Sequence, residues 1–241
     1  MKNNILALIP ARSGSKRIKN KNIVKVGNHP LVAYSIAAAK ACSQVDDIYV
    51  TTDSIKIQKV AIKYGAKVPF LRPKSISKDT SIDIEFFNHF INYLKMNKLQ
   101  IPDLIIHLSP TVPFRDKNII TKAINYIKKH PDSTSLRSVN EFNVSPYKIF
   151  KMKGKYLKGF FPEIKQEYYN LPKQIFPKTF LPNGQVDIIK PKKIKKNKLH
   201  GNKLLSFITG PSLDIDHKSD LLKLNKFLLD KRFNYLNKYL K

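Results

Sequence analysis

Short, wholly apolar runs alternate with stretches of helical period, and that alternation limits what this chain can fold into. Residues 5–9 are continuously apolar and closed by Pro10, which predicts a strand buried on both faces. Residues 11–22 are polar and basic with no apolar period, so they predict a loop. Pro30 then opens an apolar-rich helix through Ala41, proline being favoured in a first turn. A strand at 47–50 ends on Thr51-Thr52-Asp53. Ile57, Val60, Ala61 and Tyr64 follow at helical spacing and stop at Gly65, a helix C-cap. The series continues with a strand at 68–71, a polar loop at 72–81, a helix at 84–95 and a strand at 104–108. A Pro-rich loop at 109–113, a helix at 116–129 and a strand near 133–139 complete it. This order predicts an α/β fold with a mostly parallel, mixed sheet covered by helices on both faces. Ligands in such sheets collect at the carboxyl ends of strands, so each loop that follows a strand is a candidate part of one site.

The alternation breaks between about 144 and 182, a stretch rich in Tyr, Phe and Lys with a hairpin-like piece at 147–151 and a turn at Lys153-Gly154. Two readings stay open for it. Its aromatics can pack on a partner subunit or close over a substrate, or the stretch is an ordinary β excursion. Strands at 185–189 and 204–209 follow, and a helix at 219–240 places Leu221, Leu224, Leu228 and Leu236 on or near one face. Residues 190–203 carry seven lysines and suit an exposed loop or helix. No repeat or linker divides the chain, so a single domain over 1–241 is expected.

The formal net charge of +28 first suggests a nucleic-acid partner. Yet 39 of the 45 basic residues are Lys and only 6 are Arg, and the lysines are spread along the chain. Arginine dominates base and phosphate readout, so nucleic acid is disfavoured and a solvated, Lys-biased surface is expected. Cys42 is the only cysteine, which excludes an internal disulfide framework and a multi-thiolate zinc site. It is expected in the core; His107, following an apolar strand, could touch a ligand, but a core or strand-end histidine is the favoured reading. No apolar run reaches membrane-spanning length, and the opening segment has too short an apolar run for a signal peptide; a cytoplasmic protein is expected.

Two constellations carry chemistry. The loop Ala11-Arg12-Ser13-Gly14-Ser15-Lys16-Arg17-Ile18-Lys19-Asn20-Lys21-Asn22 follows the first buried strand and offers backbone N–H groups, hydroxyls and five cations to a polyphosphate. It has neither the P-loop spacing nor the three glycines of a dinucleotide fingerprint. In Leu213-Asp214-Ile215-Asp216, alternate residues of an extended segment share a side, so both carboxylates can face one site while Leu213 and Ile215 face the core. Two such carboxylates repel unless a cation such as Mg²⁺ lies between them; the competing reading has Asp216 cap the last helix. Asp53 serves either this site or the cap of the following helix.

The run Ile9-Pro10-Ala11-Arg12 through Ser15-Lys16 to Lys21-Asn22 resembles the first motif of the acylneuraminate cytidylyltransferases. Further matches follow in order: Thr51-Thr52-Asp53, Leu71-Arg72-Pro73 with Asp79-Thr80, Pro110-Thr111 with Pro113 and Arg115, Pro182-Asn183-Gly184, and Asp214-Ile215-Asp216. The resemblance implies a Rossmann-like nucleotidyltransferase that joins CTP to a nine-carbon 2-keto sugar acid, giving the CMP-sugar and pyrophosphate. It implies a homodimer whose excursion contributes to dimerisation and sugar-pocket closure. By the same match Ala11, Arg12, Ser15, Lys16, Lys21, Asn22, Arg72 and Thr80 bind the nucleotide, with Arg12, Lys21 and Asp216 catalytic and Lys21 acting at the α-phosphate. Asp214 and Asp216 hold Mg²⁺, and Ser109, Thr111, Asn183 and Gly184 meet the sugar. The chain departs from the family where Gln is usual before Pro-Thr and Ser109 stands, where Leu181 replaces Arg, and where Asp187 stands near an aromatic position. These departures point to a relative of N-acetylneuraminate such as legionaminic or pseudaminic acid. The rivals are a CMP-Kdo synthetase and, in another class, a basic nucleic-acid-binding protein on the same scaffold.

Overall fold

A computed structural model describes residues 4–164 and 167–241; residues 1–3 of the opening segment and 165–166 of the excursion lie outside it. In chain order the strands are β1 (Ile5–Pro10), the short pair β2 (Lys25–Val26) and β3 (His29–Pro30), β4 (Asp47–Thr51), β5 (Leu104–His107) and β6 (Ser135–Phe142). They continue as β7 (Phe150–Lys153), β8 (Tyr156–Gly159), β9 (Thr179–Ile189) and β10 (Leu204–Ile208). The helices are α1 (Leu31–Lys40), α2 (Ile55–Lys63), α3 (Asp83–Met96), α4 (Ile119–Lys128) and α5 (Lys218–Leu228).

Six strands form one sheet in the order β10-β6-β9-β5-β1-β4. β1 pairs in parallel with β4 and β5, β10 pairs in parallel with β6, and β9 runs antiparallel between β5 and β6. The mixed α/β sheet expected from the alternation is therefore present. Successive β1 residues explain why both faces are covered. Ile5, Ala7 and Ile9 join α1 and α4 in one core cluster, while Leu6 and Leu8 join Phe86, Phe87 and Phe90 of α3 in another. The chain leaves β1 for β4 on one side and returns for β5 on the other, so the strand order reverses at β1. A crevice opens at such a reversal, above the carboxyl ends of the strands.

Three boundaries differ from expectation. Residues 68–71 form no strand: only a parallel bridge from Lys67 to Tyr49 extends the sheet there, because the chain runs on at once into the loop at 72–81. The helix expected over 219–240 is two pieces, α5 and a 3₁₀ segment Lys231–Lys238, parted where the Asp230 carboxylate accepts from Arg232 N–H and starts a new turn. β9 starts at Thr179, inside the stretch read as excursion. Among the described residues, β6 beyond Val139 and β9 before Pro182 pair with each other alone. This two-stranded arm carries the β7–β8 hairpin and the aromatic cluster of Tyr147, Phe161, Tyr168 and Phe176. The turn falls at Gly154, whose φ of 60° suits glycine. Most of the lysines at 190–203 are exposed, but Lys190 is an exception: its ammonium donates to the carbonyls of His130, Pro131 and Ser133 beyond the end of α4. Cys42 is buried, as expected.

Candidate active site

The crevice at the carboxyl ends of β1 and β5 is a cleft of about 640 Å³. The loop after β1 forms one wall, and short-range polarity holds it in shape. Ser13 donates to both oxygens of Asp53, from its N–H at 2.7 Å and its hydroxyl at 2.7 Å. Asn22, buried, donates its amide to the Arg12 carbonyl at 2.8 Å. Ser54 caps α2, accepting from Ile57 N–H, so the open question about Asp53 resolves in favour of the loop.

Arg12, Ser15, Lys16, Lys21 and Asn22 all line this cleft, and so does Arg17. Among the described residues, each of the loop's cations except Lys19 has an acidic partner from elsewhere in the chain. Arg12 and Lys16 meet Asp79 at 2.5 and 2.8 Å. Lys21 and Arg17 meet opposite oxygens of Asp216 at 2.8 and 3.1 Å. Lys16, then Arg12, holds the Asp79 carboxyl below its ordinary range; Lys21 does the same for Asp216. Cations brought this close to one cleft repel one another, so the two aspartates act as the internal counter-ions that an anionic ligand would replace.

Asp214 and Asp216 sit on an extended segment as expected: Leu213 and Ile215 are buried, and Ile215 N–H donates to the Thr111 carbonyl at 2.8 Å. Asp216 reaches the cleft; Asp214 lies beside it against Thr111. Asp214 is exposed as a residue, but partial desolvation of its carboxyl raises its pKa, and the charge of Asp216 adds to that. Asp216 does not cap α5. Asp220 does, its carboxylate accepting from the N–H groups of Asp216 at 3.0 Å and His217 at 2.8 Å, so that helix start and acidic segment are fixed together. These two hydrogen bonds press the Asp220 pKa down to about 2 from 3.8. A depressed carboxylate stabilises the fold above its unfolded pKa and stops doing so as pH falls through the folded value. Asp220→Ala is expected to cost about 1 kcal/mol at neutral pH. In pH-dependent thermal melts, the gap to the parent should close as pH drops from 3.8 towards 2.

The remaining expected residues divide. Arg72 is buried against the cleft, with its Nε donating to Ser77 at 3.0 Å and its guanidinium over the Phe86 ring. Ser109 and Thr111 line the cleft with their hydroxyls 2.8 Å apart. Ala11 is buried in the core beneath the loop, its N–H donating to the Thr51 carbonyl, and Thr80 is exposed outside the cleft lining. Asn183 and Gly184 also lie outside that lining. Asn183 donates to Thr209 at 2.7 Å and accepts from Ser212 through its carbonyl, which ties β9 to the segment leading into Asp214. Gly184 has a φ of 66°, and a Cβ there would stand 3.1 Å from Val112, so the position favours glycine.

Asp83 and Phe86 are among the cleft residues with no assigned role from the sequence, and Arg17 had one only as a member of the basic loop. The clue for Arg17 was its place among the loop cations. His107, expected in the core, lines the cleft floor.

Two carboxylates on one segment are a hard-oxygen donor set of the kind Mg²⁺ takes together with phosphate oxygens and water, and a cation there would relieve the repulsion that adds to the effect of burial on Asp214. The donors present therefore fit that ion. Among the described residues, no helix is long and apolar enough to cross a membrane.

Comparison with known proteins gives concordant matches. The Cytidylyltransferase family profile covers residues 6–153. The chain is 33% identical to the CMP-N,N'-diacetyllegionaminic acid synthase of Legionella pneumophila, over 93% of this chain and 96% of that one. It is 32% identical to the N-acylneuraminate cytidylyltransferase of Escherichia coli over 91% of its own length and 51% of that protein's. Over 51% of this chain and 52% of the other, it is 42% identical to a pseudaminic acid cytidylyltransferase of Campylobacter jejuni. The solved structure of a CMP:2-keto-3-deoxy-manno-octonic acid synthetase complexed with CTP superposes with a TM-score of 0.67, covering 93% of this chain and 98% of that one. At 12% identity, that likeness speaks to fold alone.

Proposed function

The chain belongs to the cytidylyltransferase family and is a nucleotidyltransferase, and from that premise we propose that it activates a nonulosonic sugar acid with CTP, releasing pyrophosphate and the CMP-sugar. The observation that carries this is the clustering of Arg12, Lys16, Arg17 and Lys21 with Asp216 in one cleft at the reversal of strand order. Transfer of a nucleotidyl group needs positioning and charge neutralisation more than covalent chemistry. Arg12, Ser15 and Lys16 hold the triphosphate, and Asn22 keeps the loop shaped for it. Lys21 sits against the α-phosphate, where charge builds up as the sugar's anomeric hydroxyl attacks in line with the leaving pyrophosphate. Asp214 and Asp216 would hold Mg²⁺, which spreads the phosphate charge when bound. Arg72 lies along the cytidine, and Ser109 and Thr111 face the sugar.

Relatives with legionaminic, pseudaminic and N-acylneuraminic names all share sequence with this chain, while the Kdo enzyme shares fold alone. Ser109, where Gln is usual, favours a legionaminate- or pseudaminate-type acid. Pyrophosphate release measured with CTP, Mg²⁺ and a panel of acids tests the sugar class. Turnover should be fastest with a nonulosonic acid; turnover with Kdo alone would overturn the assignment. The apolar side chains exposed on the arm and hairpin, including Phe142, Phe150, Met152, Tyr156 and Leu157, support a homodimer built through that excursion. Sedimentation of the chain at monomer mass would remove that part of the proposal. The enzyme works in the cytoplasm, where CTP is supplied.

A further inference from the structure

A row of polar side chains crosses the sheet beneath the cleft, and phosphate binding does not use it. His107 on β5 stands in register with Asp187 on β9, which stands in register with Arg137 on β6. Register partners place their side chains on one face of a sheet. Arg137 donates to Asp187 from Nε at 2.9 Å and from Nη2 at 2.8 Å. Its Nη2 also reaches His200 Nε2 at 2.7 Å. A guanidinium only donates, so His200 Nε2 accepts and the ring carries its proton on Nδ1. That Nδ1 is buried without a partner among the described residues, so the far end of the row is a fixed, neutral imidazole.

The near end opens into the cleft. His107 keeps 12% of its side chain exposed and is flanked by the rings of Phe86 and Phe87, each at 5.7 Å. Its Nδ1 lies 4.0 Å from the Asp187 carboxylate. In the neutral ring that negative charge favours the proton on Nδ1, which leaves the lone pair on Nε2. Within the cleft lining, Arg72, Asp83, Phe86 and His107 form one part of the wall: the Arg72 guanidinium lies over the Phe86 ring with Asp83 in electrostatic reach, and that ring is 5.7 Å from His107. It combines an aromatic face, a buried guanidinium, a carboxylate and an imidazole acceptor. The carboxylate of Asp83 disfavours an anionic sugar acid in this part. A planar heterocycle bearing an exocyclic amino group meets all four groups.

We infer that His107, oriented by the Asp187–Arg137 pair, is a specificity-determining residue that reads the exocyclic amino group of the nucleobase and so selects CTP over UTP. The inference rests on the reading of the cleft as a CTP site. The amino group of cytosine donates to the Nε2 lone pair; the carbonyl that uracil carries at the same place would set two acceptors against each other.

Calorimetric binding of CTP, UTP and inorganic tripolyphosphate to the full chain and to His107→Leu and His107→Gln, without sugar acid, tests this. Wild type should prefer CTP to UTP by about tenfold or more. His107→Leu should lose about tenfold in CTP affinity, bind tripolyphosphate unchanged and bring CTP and UTP near parity. His107→Gln, which keeps an acceptor, should recover part of the preference. A CTP-to-UTP ratio unchanged in His107→Leu would overturn the inference and leave the functional reading standing. Wild type that binds no nucleotide would overturn both.

Discussion

Asp216→Ala is expected to lower kcat/KM for CTP-dependent transfer by about two to three orders of magnitude while leaving the fold intact. The carboxylate of Asp216 stands at the meeting point of two systems. Its two oxygens hold Lys21 and Arg17 from the loop, and its backbone is fixed by the Asp220 cap of α5. Removing it frees Lys21, whose side chain is only 14% exposed, to take other positions, and deprives the proposed Mg²⁺ of one of its two protein donors. The residue is half-exposed, and exposed ion pairs contribute little to stability, about 0–1 kcal/mol. The loss should therefore appear in activity and in a higher Mg²⁺ requirement, with little change in melting temperature. Unchanged turnover with unchanged Mg²⁺ dependence would contradict the assignment of Asp216. Asp216→Asn separates charge from shape: it keeps an oxygen acceptor for Lys21 but should still lose most of the activity.

Arg115→Ala is expected to be the most destabilising single substitution, costing about 3–5 kcal/mol and a melting temperature lower by several degrees. Arg115 is fully buried with no ion-pair partner among the described residues, and burial lowers its pKa to about 10 while Tyr235 and the charge of Asp214 act the other way. Its stability comes from carbonyls arranged around the guanidinium. Nε donates to Gln185 at 2.6 Å, Nη2 to Ser109 at 2.7 Å, and Nη1 to Val112 and to the Ser35 hydroxyl, the latter at 3.0 Å. One side chain thus ties the loop after β5 to β9 and α1, and its own carbonyl accepts from Tyr235 at 2.9 Å. Truncation leaves several buried carbonyls without donors and a cavity as large as the lost side chain. Arg115→Lys restores the charge but not the planar fork, so it should recover only part of the loss in a denaturant titration. A substitution that melts like the parent would show that these carbonyls find other partners. Since Ser109 is one of the groups held, variants that do fold should also weaken sugar-acid binding more than CTP binding.

Much of the site was legible in the sequence because its parts are local. The loop at 11–22 needed only its composition and its place after a buried strand. Leu213-Asp214-Ile215-Asp216 needed only the two-residue period of an extended segment, and both pairs of residues fall as that period requires. What escaped is long-range. Nothing near Asp79 in sequence shows that it meets Arg12, 67 residues earlier. Likewise nothing near Arg115 in sequence marks it as buried, and only the convergence of Ser35, Ser109 and Gln185 makes it a core residue. His107 shows the same limit from the other side. A histidine ending an apolar strand is ordinary in a core, and its neighbours Asp187 and Arg137 arrive from strands that no local pattern places beside it. The boundaries that moved have similar causes. The strand expected at 68–71 is reduced to one bridge at the edge of the sheet, and β9 runs longer because β6 pairs with it beyond the sheet. The net charge of +28 also takes on a narrower meaning: Arg12, Lys16, Arg17 and Lys21 converge on one cleft, which suits a nucleotide more than a nucleic acid.

The central claim, that this cleft transfers a cytidylyl group from CTP to a sugar acid, is tested most directly by following α-phosphorus-labelled CTP with Mg²⁺ and a nonulosonic acid. The account predicts that the label moves into a CMP-sugar in step with an equal amount of released pyrophosphate, and that both stop when the acid is omitted. Label that remains in CTP with every nonulosonic acid offered, or that is released as free CMP whether or not the acid is present, would contradict it.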